Sequence, residues 1–194
     1  MNDSYASFPF ELAAGVHMLV LDVDGVMTAG QVIMDDNGME SKGFNVRDGH
    51  GLKMLQRAGI QVAILTGRTS GVVEHRARDL GIEHLIQGCL RKAEGLVQLC
   101  EQAGLAPEDC AYMGDDIVDL PAMRHCRLMM CPVDAHIAVA GCAHWVSSYP
   151  GGQGAVRQAT EGLILAAGVW QEVVADAYDL SPADCGWVVS ADRP

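Results

Sequence analysis

The stretch Leu19-Val20-Leu21-Asp22-Val23-Asp24-Gly25 limits what this chain can become more than any other. A short apolar run rich in branched side chains reads as a buried strand. This one stops at two aspartates one residue apart, followed by glycine. Carboxylates at the end of a buried strand are costly unless a positive group meets them. Taken alone, the pair reads equally well as a solvated turn or as a site built around a cation.

Similar strand ends recur along the 194 residues, a length that suits one domain with a real core. Residues 16–21 form the first expected strand. Residues 31–34 and 39–44 flank Asp35-Asp36-Asn37-Gly38, and Asn-Gly between two such segments signals a hairpin. A lone hairpin is marginally stable in water, so it must lean on something, over the site or on another subunit. Asp48 is expected to cap a helix over 49–57 that Gly59 ends. Residues 61–65 form a strand ending in Thr66-Gly67-Arg68, after which Ser70 caps a helix carrying Val73, Arg76 and Leu80. A short strand over 84–86 precedes a helix opened by Arg91-Lys92. Residues 110–113 form a strand ending in Gly114-Asp115-Asp116-Ile117-Val118-Asp119. Strands follow over 128–131 and 145–146, and Gly151-Gly152-Gln153-Gly154 leads into a helix over 155–174.

Strands alternating with helices call for an α/β fold, a Rossmann-like parallel sheet with helices on both faces and a hairpin flap after the first strand. In such sheets the ligand crevice lies beyond the carboxyl ends of the strands. Asp22, Asp24, Thr66 and Asp115 all fall at such ends. The domain is expected over 16–174, with an N-terminal extension over 1–15 and a tail of unknown role over 175–194.

Composition narrows the partners. A formal net charge of -12 argues against binding nucleic acid or anionic lipid. The seven cysteines include no Cys-x-x-Cys, which suits small core residues in a reducing cytoplasm better than zinc sites or disulfides. No secretion signal is expected over 1–11 and no apolar run is long enough to cross a bilayer, so no membrane role is expected.

The order Asp22-x-Asp24, Thr66-Gly67-Arg68, Lys92 and Gly114-Asp115-Asp116-x-x-Asp119 resembles the four motifs of the haloacid dehalogenase superfamily. Asp22-Val23-Asp24-Gly25-Val26-Met27-Thr28, Phe44-Asn45-Val46-Arg47-Asp48-Gly49 and Gly151-Gly152-Gln153-Gly154-Ala155-Val156-Arg157 narrow the likeness. With them the chain, from about residue 16 to 174, resembles the 3-deoxy-D-manno-octulosonate 8-phosphate phosphatases.

That resemblance implies a homotetramer without a cap domain, in which hairpins from four subunits meet. It implies a Mg2+-dependent phosphatase serving lipopolysaccharide biosynthesis in the cytoplasm, with Asp22 as nucleophile and Asp24 as general acid-base. It makes Asp22, Asp115 and the Asp24 backbone carbonyl metal ligands, with Asp116 and Asp119 in support and Asp119 orienting Lys92. Thr66 and Gly67 would hold phosphoryl oxygens near Gly25, and Lys92 would spread transition-state charge. Arg47, Arg68, Arg76 and Arg157 are substrate-carboxylate candidates, since arginine meets carboxylate in a bidentate fork. Mid-helix Arg76 reads equally well as an ion-paired surface residue. Arg68 favours the eight-carbon acid, because related nine-carbon phosphatases tend to carry an acid there. Gln153 replaces a usual basic residue, and Pro132 a usual alanine. The competing readings are a phosphatase of a sialic acid or KDN 9-phosphate and a non-catalytic oligomerisation domain of the same fold.

Overall fold

A computed structural model describes residues 5–188. In chain order the elements are α1 (Phe10–Ala13), β1 (Met18–Leu21), β2 (Ile33–Met34), β3 (Glu40–Ser41), α2 (Val46–Arg57), β4 (Gln61–Leu65), α3 (Gly71–Leu80), β5 (His84–Ile86), α4 (Lys92–Ala103), β6 (Cys110–Met113), α5 (Leu120–Met123), β7 (Leu128–Cys131), α6 (Ile137–Ala140), β8 (Trp145–Val146) and α7 (Ala155–Ala166). Six parallel strands form one sheet in the order β5-β4-β1-β6-β7-β8. The expected α/β architecture is present. β1 lies between β4 and β6, with Leu21 level with both Ile64 and Met113. The chain leaves β1 for one side of the sheet and later returns on the other. That reversal opens a crevice at the carboxyl ends of β1, β4 and β6.

The strands are buried on both faces, as a covered parallel sheet requires. Leu19, Leu21, Val62, Ile64 and Met113 pack into a core with residues of α2, α3 and α7. Met18, Val20, Ala63, Leu65 and Tyr112 pack into a second core against Leu96 and Leu99 of α4. Side chains alternate along a strand, so the residue after Leu21 belongs to the α4 side. The ladder continues there, with the Asp22 amide donating to the Met113 carbonyl at 3.1 Å.

Several local expectations change. β1 begins at Met18, later than residue 16. The N-cap of α2 is Asn45, whose side chain accepts the Arg47 amide at 2.8 Å. Asp48 lies inside that helix, and its carboxylate accepts the amides of Gly154 at 3.3 Å and Arg157 at 2.8 Å. It thereby ties α2 to the glycine-rich turn. Ser70 stands at the N-cap of α3 but its side chain makes no capping bond. The helix expected over 155–174 ends at Ala166, near Gly168 at φ +72°, and a π-helical turn over Gln171–Ala175 and a short helix over Asp176–Tyr178 follow.

The hairpin is short, with Ile33 opposite Ser41 and Met34 opposite Glu40. Asp35 closes its turn by accepting the amides of Asn37 at 2.9 Å and Met39 at 2.8 Å. Gly38, at φ +77°, supplies the left-handed residue. Val32, Ile33, Met34 and Met39 are exposed. Among the described residues, this hairpin is the only regular structure between β1 and α2.

The flanking segments are more than extensions. Phe8 and Trp187 are both buried in the core beside α7. Trp187 meets Tyr5 edge-on at 4.9 Å and Phe8 at 5.6 Å, and its indole N–H donates to Glu161 at 3.0 Å. Tyr5, Phe8 and Trp187 thus pack together from segments far apart in sequence. Residues 1–4 and 189–194, expected to belong to the extension and the tail, lie outside the described residues. Trp187→Ala is expected to cost about 3 kcal/mol of unfolding free energy, read by urea denaturation. A cost below about 1 kcal/mol would mean that the tail is not part of the core.

Candidate active site

Asp119 organises the crevice. Its carboxylate is fully buried. Oδ1 accepts from the Lys92 ammonium at 2.5 Å and from the Tyr112 hydroxyl at 3.0 Å. Oδ2 accepts the backbone amides of Asp115 at 3.1 Å and Asp116 at 3.2 Å. A buried carboxylate is tolerable with donors on both oxygens, and here they are shared among β6, α4 and the loop between β6 and α5. A Cβ on Gly114 would lie 2.6 Å from the Asp119 side chain, so the loop can fold back only over glycine.

Lys92, the first residue of α4, is buried between Asp119 and Asp22, whose Oδ1 lies 2.8 Å away. Burial disfavours the ammonium, but the two carboxylates outweigh it and raise its pKa above the usual lysine value. Asp22 is pushed up to about 6, first by burial and then by Asp119, with Lys92 pulling the other way. Asp115 is pushed up to about 7 by burial and by the charges of Asp22, Asp119 and Asp116.

This acidic knot fits a divalent cation. Carboxylate oxygens of Asp22, Asp115 and Asp119 lie within 4.8 Å of one another. Asp119 is already occupied by four donors, which leaves Asp22 and Asp115 as the available side chains. Asp115 Oδ1 is buried and has no hydrogen-bond partner. A lone pair held this way is what a hard oxygen-seeking ion such as Mg2+ takes. Gly25 permits the approach: a Cβ there would lie 2.0 Å from Asp115 Oδ2, and its φ is +91°.

A cavity of about 320 Å³ opens over these groups, lined by Asp22, Asp24, Thr66, Gly67, Arg68, Lys92, Asp115 and Asp116 among others. It brings together most of the residues the motifs singled out. Thr66 is buried at the end of β4, and Asp116 is exposed at the rim. Sequence reasoning missed Lys42. Its ammonium forms an ion pair with Asp24 and lies 3.3 Å from Glu40. The only hint was a lone basic residue in the expected hairpin.

Three expected arginines do not line this cavity. Arg76 pairs with Asp79 at 2.7 Å, donates to the Asn45 carbonyl at 3.4 Å and lies over the Phe44 ring. Arg157 pairs with Glu161 at 2.5 Å and meets His50 at 3.2 Å. Arg47 lines a separate cleft with Arg157 and Gln153. These positions arise from the partners available within one chain.

Residues 47–127 match the haloacid dehalogenase-like hydrolase family. The chain is 43% identical over 160 residues to the 3-deoxy-D-manno-octulosonate 8-phosphate phosphatase KdsC of Escherichia coli strain K12, covering 82% of this chain and 85% of that one. The chain belongs to the 3-deoxy-D-manno-octulosonate 8-phosphate phosphatase family. A family structure from Moraxella catarrhalis, in complex with magnesium ion, phosphate ion and KDO, superposes with a TM-score of 0.83 at 36% identity, covering 91% of this chain and 99% of that one. A cobalt-bound family structure from Haemophilus influenzae gives 0.82 at 40% identity, covering 87% and 99%.

The raised pKa values of Asp22 and Asp115 carry a sign for this family member. Both carboxylates hold their protons more tightly folded than unfolded. Their contribution to stability is therefore full below about pH 4 and falls as pH rises, until it is gone above about 6 for Asp22 and about 7 for Asp115. Metal-free protein is expected to melt lower at pH 7.5 than at pH 5. Mg2+ at pH 7.5 should raise the melting temperature, and Asp115→Asn should flatten both responses. An unchanged metal response in Asp115→Asn, followed by scanning calorimetry, would remove Asp115 from the cation site.

Proposed function

We propose that this chain is a Mg2+-dependent phosphatase that hydrolyses 3-deoxy-D-manno-octulosonate 8-phosphate to the sugar acid and phosphate, in the cytoplasm, for lipopolysaccharide biosynthesis. The observation that carries the reading is the Asp22–Lys92–Asp119 chain beside the unpartnered Asp115 oxygen. It occurs in a fold shared with a family structure that holds magnesium, phosphate and KDO.

Asp22 is the nucleophile. Its carboxylate oxygen bonds to phosphorus as the phosphorus–sugar oxygen bond breaks, giving an aspartyl-phosphate. Asp24 gives its proton to the departing sugar oxygen. The Asp24 carboxylate then takes a proton from water as the water oxygen attacks phosphorus and frees Asp22. Proton transfer of this kind contributes about 10²–10⁴-fold. Thr66 and the Gly67 amide orient the phosphoryl oxygens beside Gly25. Lys92, held from behind by Asp119, faces charge that builds on those oxygens, and its rigid placement means little reorganisation is needed. Mg2+, held by Asp22, Asp115 and the Asp24 backbone with Asp116 nearby, supplies positive charge against the repulsion between phosphate and carboxylate.

Arg68 is the carboxylate fork best placed for the sugar acid, because it lines the cavity and its side chain is 47% exposed. Asp22→Asn should lower phosphate release from the eight-carbon substrate by more than about 10³-fold while leaving the melting temperature within a few degrees. EDTA should silence the parent enzyme and Mg2+ restore it. A higher kcat/KM on a nine-carbon sugar-acid 9-phosphate would overturn the substrate assignment. Silence on every phosphorylated sugar acid would overturn catalysis itself.

The chain acts as a homotetramer through its hairpins. The exposed Val32, Ile33, Met34 and Met39 support that assembly, because apolar side chains grouped on a hairpin this short favour burial by a partner. Ile33→Asp should shift the mass in light scattering from four chains to smaller species. A parent that runs as a monomer at micromolar concentration would end the assignment.

A further inference from the structure

We propose that Lys42 is a positioning residue for Asp24, carried to the site by the hairpin. The inference rests on the phosphatase reading above, in which Asp24 gives a proton to the leaving oxygen.

The geometry is specific. Lys42 follows directly on β3, and its side chain is 1% exposed. Its ammonium contacts Asp24 Oδ1 and lies 3.3 Å from Glu40 Oε1. The other carboxylate oxygen of Asp24 faces Arg68 Nε at 3.7 Å, and Arg68 Nη2 reaches the same Glu40 oxygen at 2.7 Å. With Asp24 ionised, two cations and two carboxylates close into a neutral ring, and the proton Asp24 gives up in the first step is carried on the oxygen that Lys42 does not hold. The two cations differ in how firmly they hold Asp24. The Arg68 side chain is 47% exposed and lies beyond hydrogen-bond distance. Lys42 is enclosed and in contact.

An enclosed ammonium is costly without partners that use its charge. Both of its partners here are carboxylates, one on its own hairpin and one in the loop after β1. Asp24 follows the strand end and precedes Gly25 at φ +91°, so backbone alone leaves its side chain several rotamers. Lys42 selects among them. It holds one carboxylate oxygen and leaves the other facing Arg68, and both Asp24 and Arg68 line the cavity. A misplaced proton donor loses rate steeply with distance, so selecting a rotamer acts on the chemical step.

A latch that merely fastens the hairpin would produce the same contacts. The leaving group separates the two roles. A primary sugar alkoxide needs a proton as it departs, whereas p-nitrophenolate leaves largely unassisted. The parameter kcat/KM reports transfer from the ester to Asp22, before water attacks. A positioning role therefore predicts a loss confined to the basic leaving group.

The test compares parent, Lys42→Met and Lys42→Arg with Mg2+ on 3-deoxy-D-manno-octulosonate 8-phosphate and on p-nitrophenyl phosphate. Lys42→Met should lower kcat/KM about 30-fold on the sugar ester and less than about 3-fold on the aryl ester. Lys42→Arg should recover part of the loss. Equal losses on both esters, or no loss on either, overturn the proposal. Should Lys42→Met fail to fold, Lys42→Gln takes its place, and a selective loss on the sugar ester is again required. A parent inactive on the sugar ester overturns both this inference and the phosphatase reading. An active parent with parallel losses removes the role of Lys42 alone.

Discussion

The bond between the Lys92 ammonium and the fully buried Asp119 carboxylate is the constraint from which the crevice follows. Asp119 spends one oxygen on Lys92 and Tyr112 and the other on two backbone amides. It fixes the start of α4 and the loop after β6 at once. Lys92 is then aimed at Asp22, whose place on the α4 side of β1 is set by strand alternation. Removing Lys92 would leave two buried carboxylates without a cation, which costs far more than an exposed pair contributes. The same arrangement leaves negative charge unanswered on Asp22 and Asp115, which is why the site fits a cation.

Much of this was legible in the sequence because the informative residues sit at strand ends. Apolar runs such as residues 61–65 and 110–113 terminate in Thr66 and in Gly114-Asp115, and the structure gives those strands the same bounds. What was hidden depends on long-range contact. Asp48 read as a cap because aspartate favours that position; the nearby Asn45 took it, and Asp48 found amides more than a hundred residues away. Trp187 carried no periodic signal, and only its fit between Tyr5 and Phe8 shows that the tail closes the core. Lys42 is one residue in a solvated-looking hairpin, and its burial follows from where the hairpin folds.

The arginines show the difference between residue type and placement. All four have the chemistry to bind a carboxylate, but only Arg68 faces the cavity. Arg76, Arg157 and Arg68 are each paired with a carboxylate, Asp79, Glu161 and Glu40, so what sets Arg68 apart is its place in the cavity wall. Gln153 stands beside Arg47 and Arg157 in the second cleft, so its departure from the family pattern bears on that cleft, away from the phosphate end of the site.

The glycine-rich turn forms part of the back wall of the site. A Cβ on Gly151 would lie 1.7 Å from the Gly25 carbonyl oxygen, and one on Gly152 would lie 2.5 Å from the Thr28 carbonyl carbon. The loop that presents Asp24 is therefore braced by backbone made some 125 residues later. On the ribosome, every side chain that does chemistry emerges before this brace exists. The loop that carries the site's first carboxylates thus takes its support from backbone that follows every one of them in the sequence.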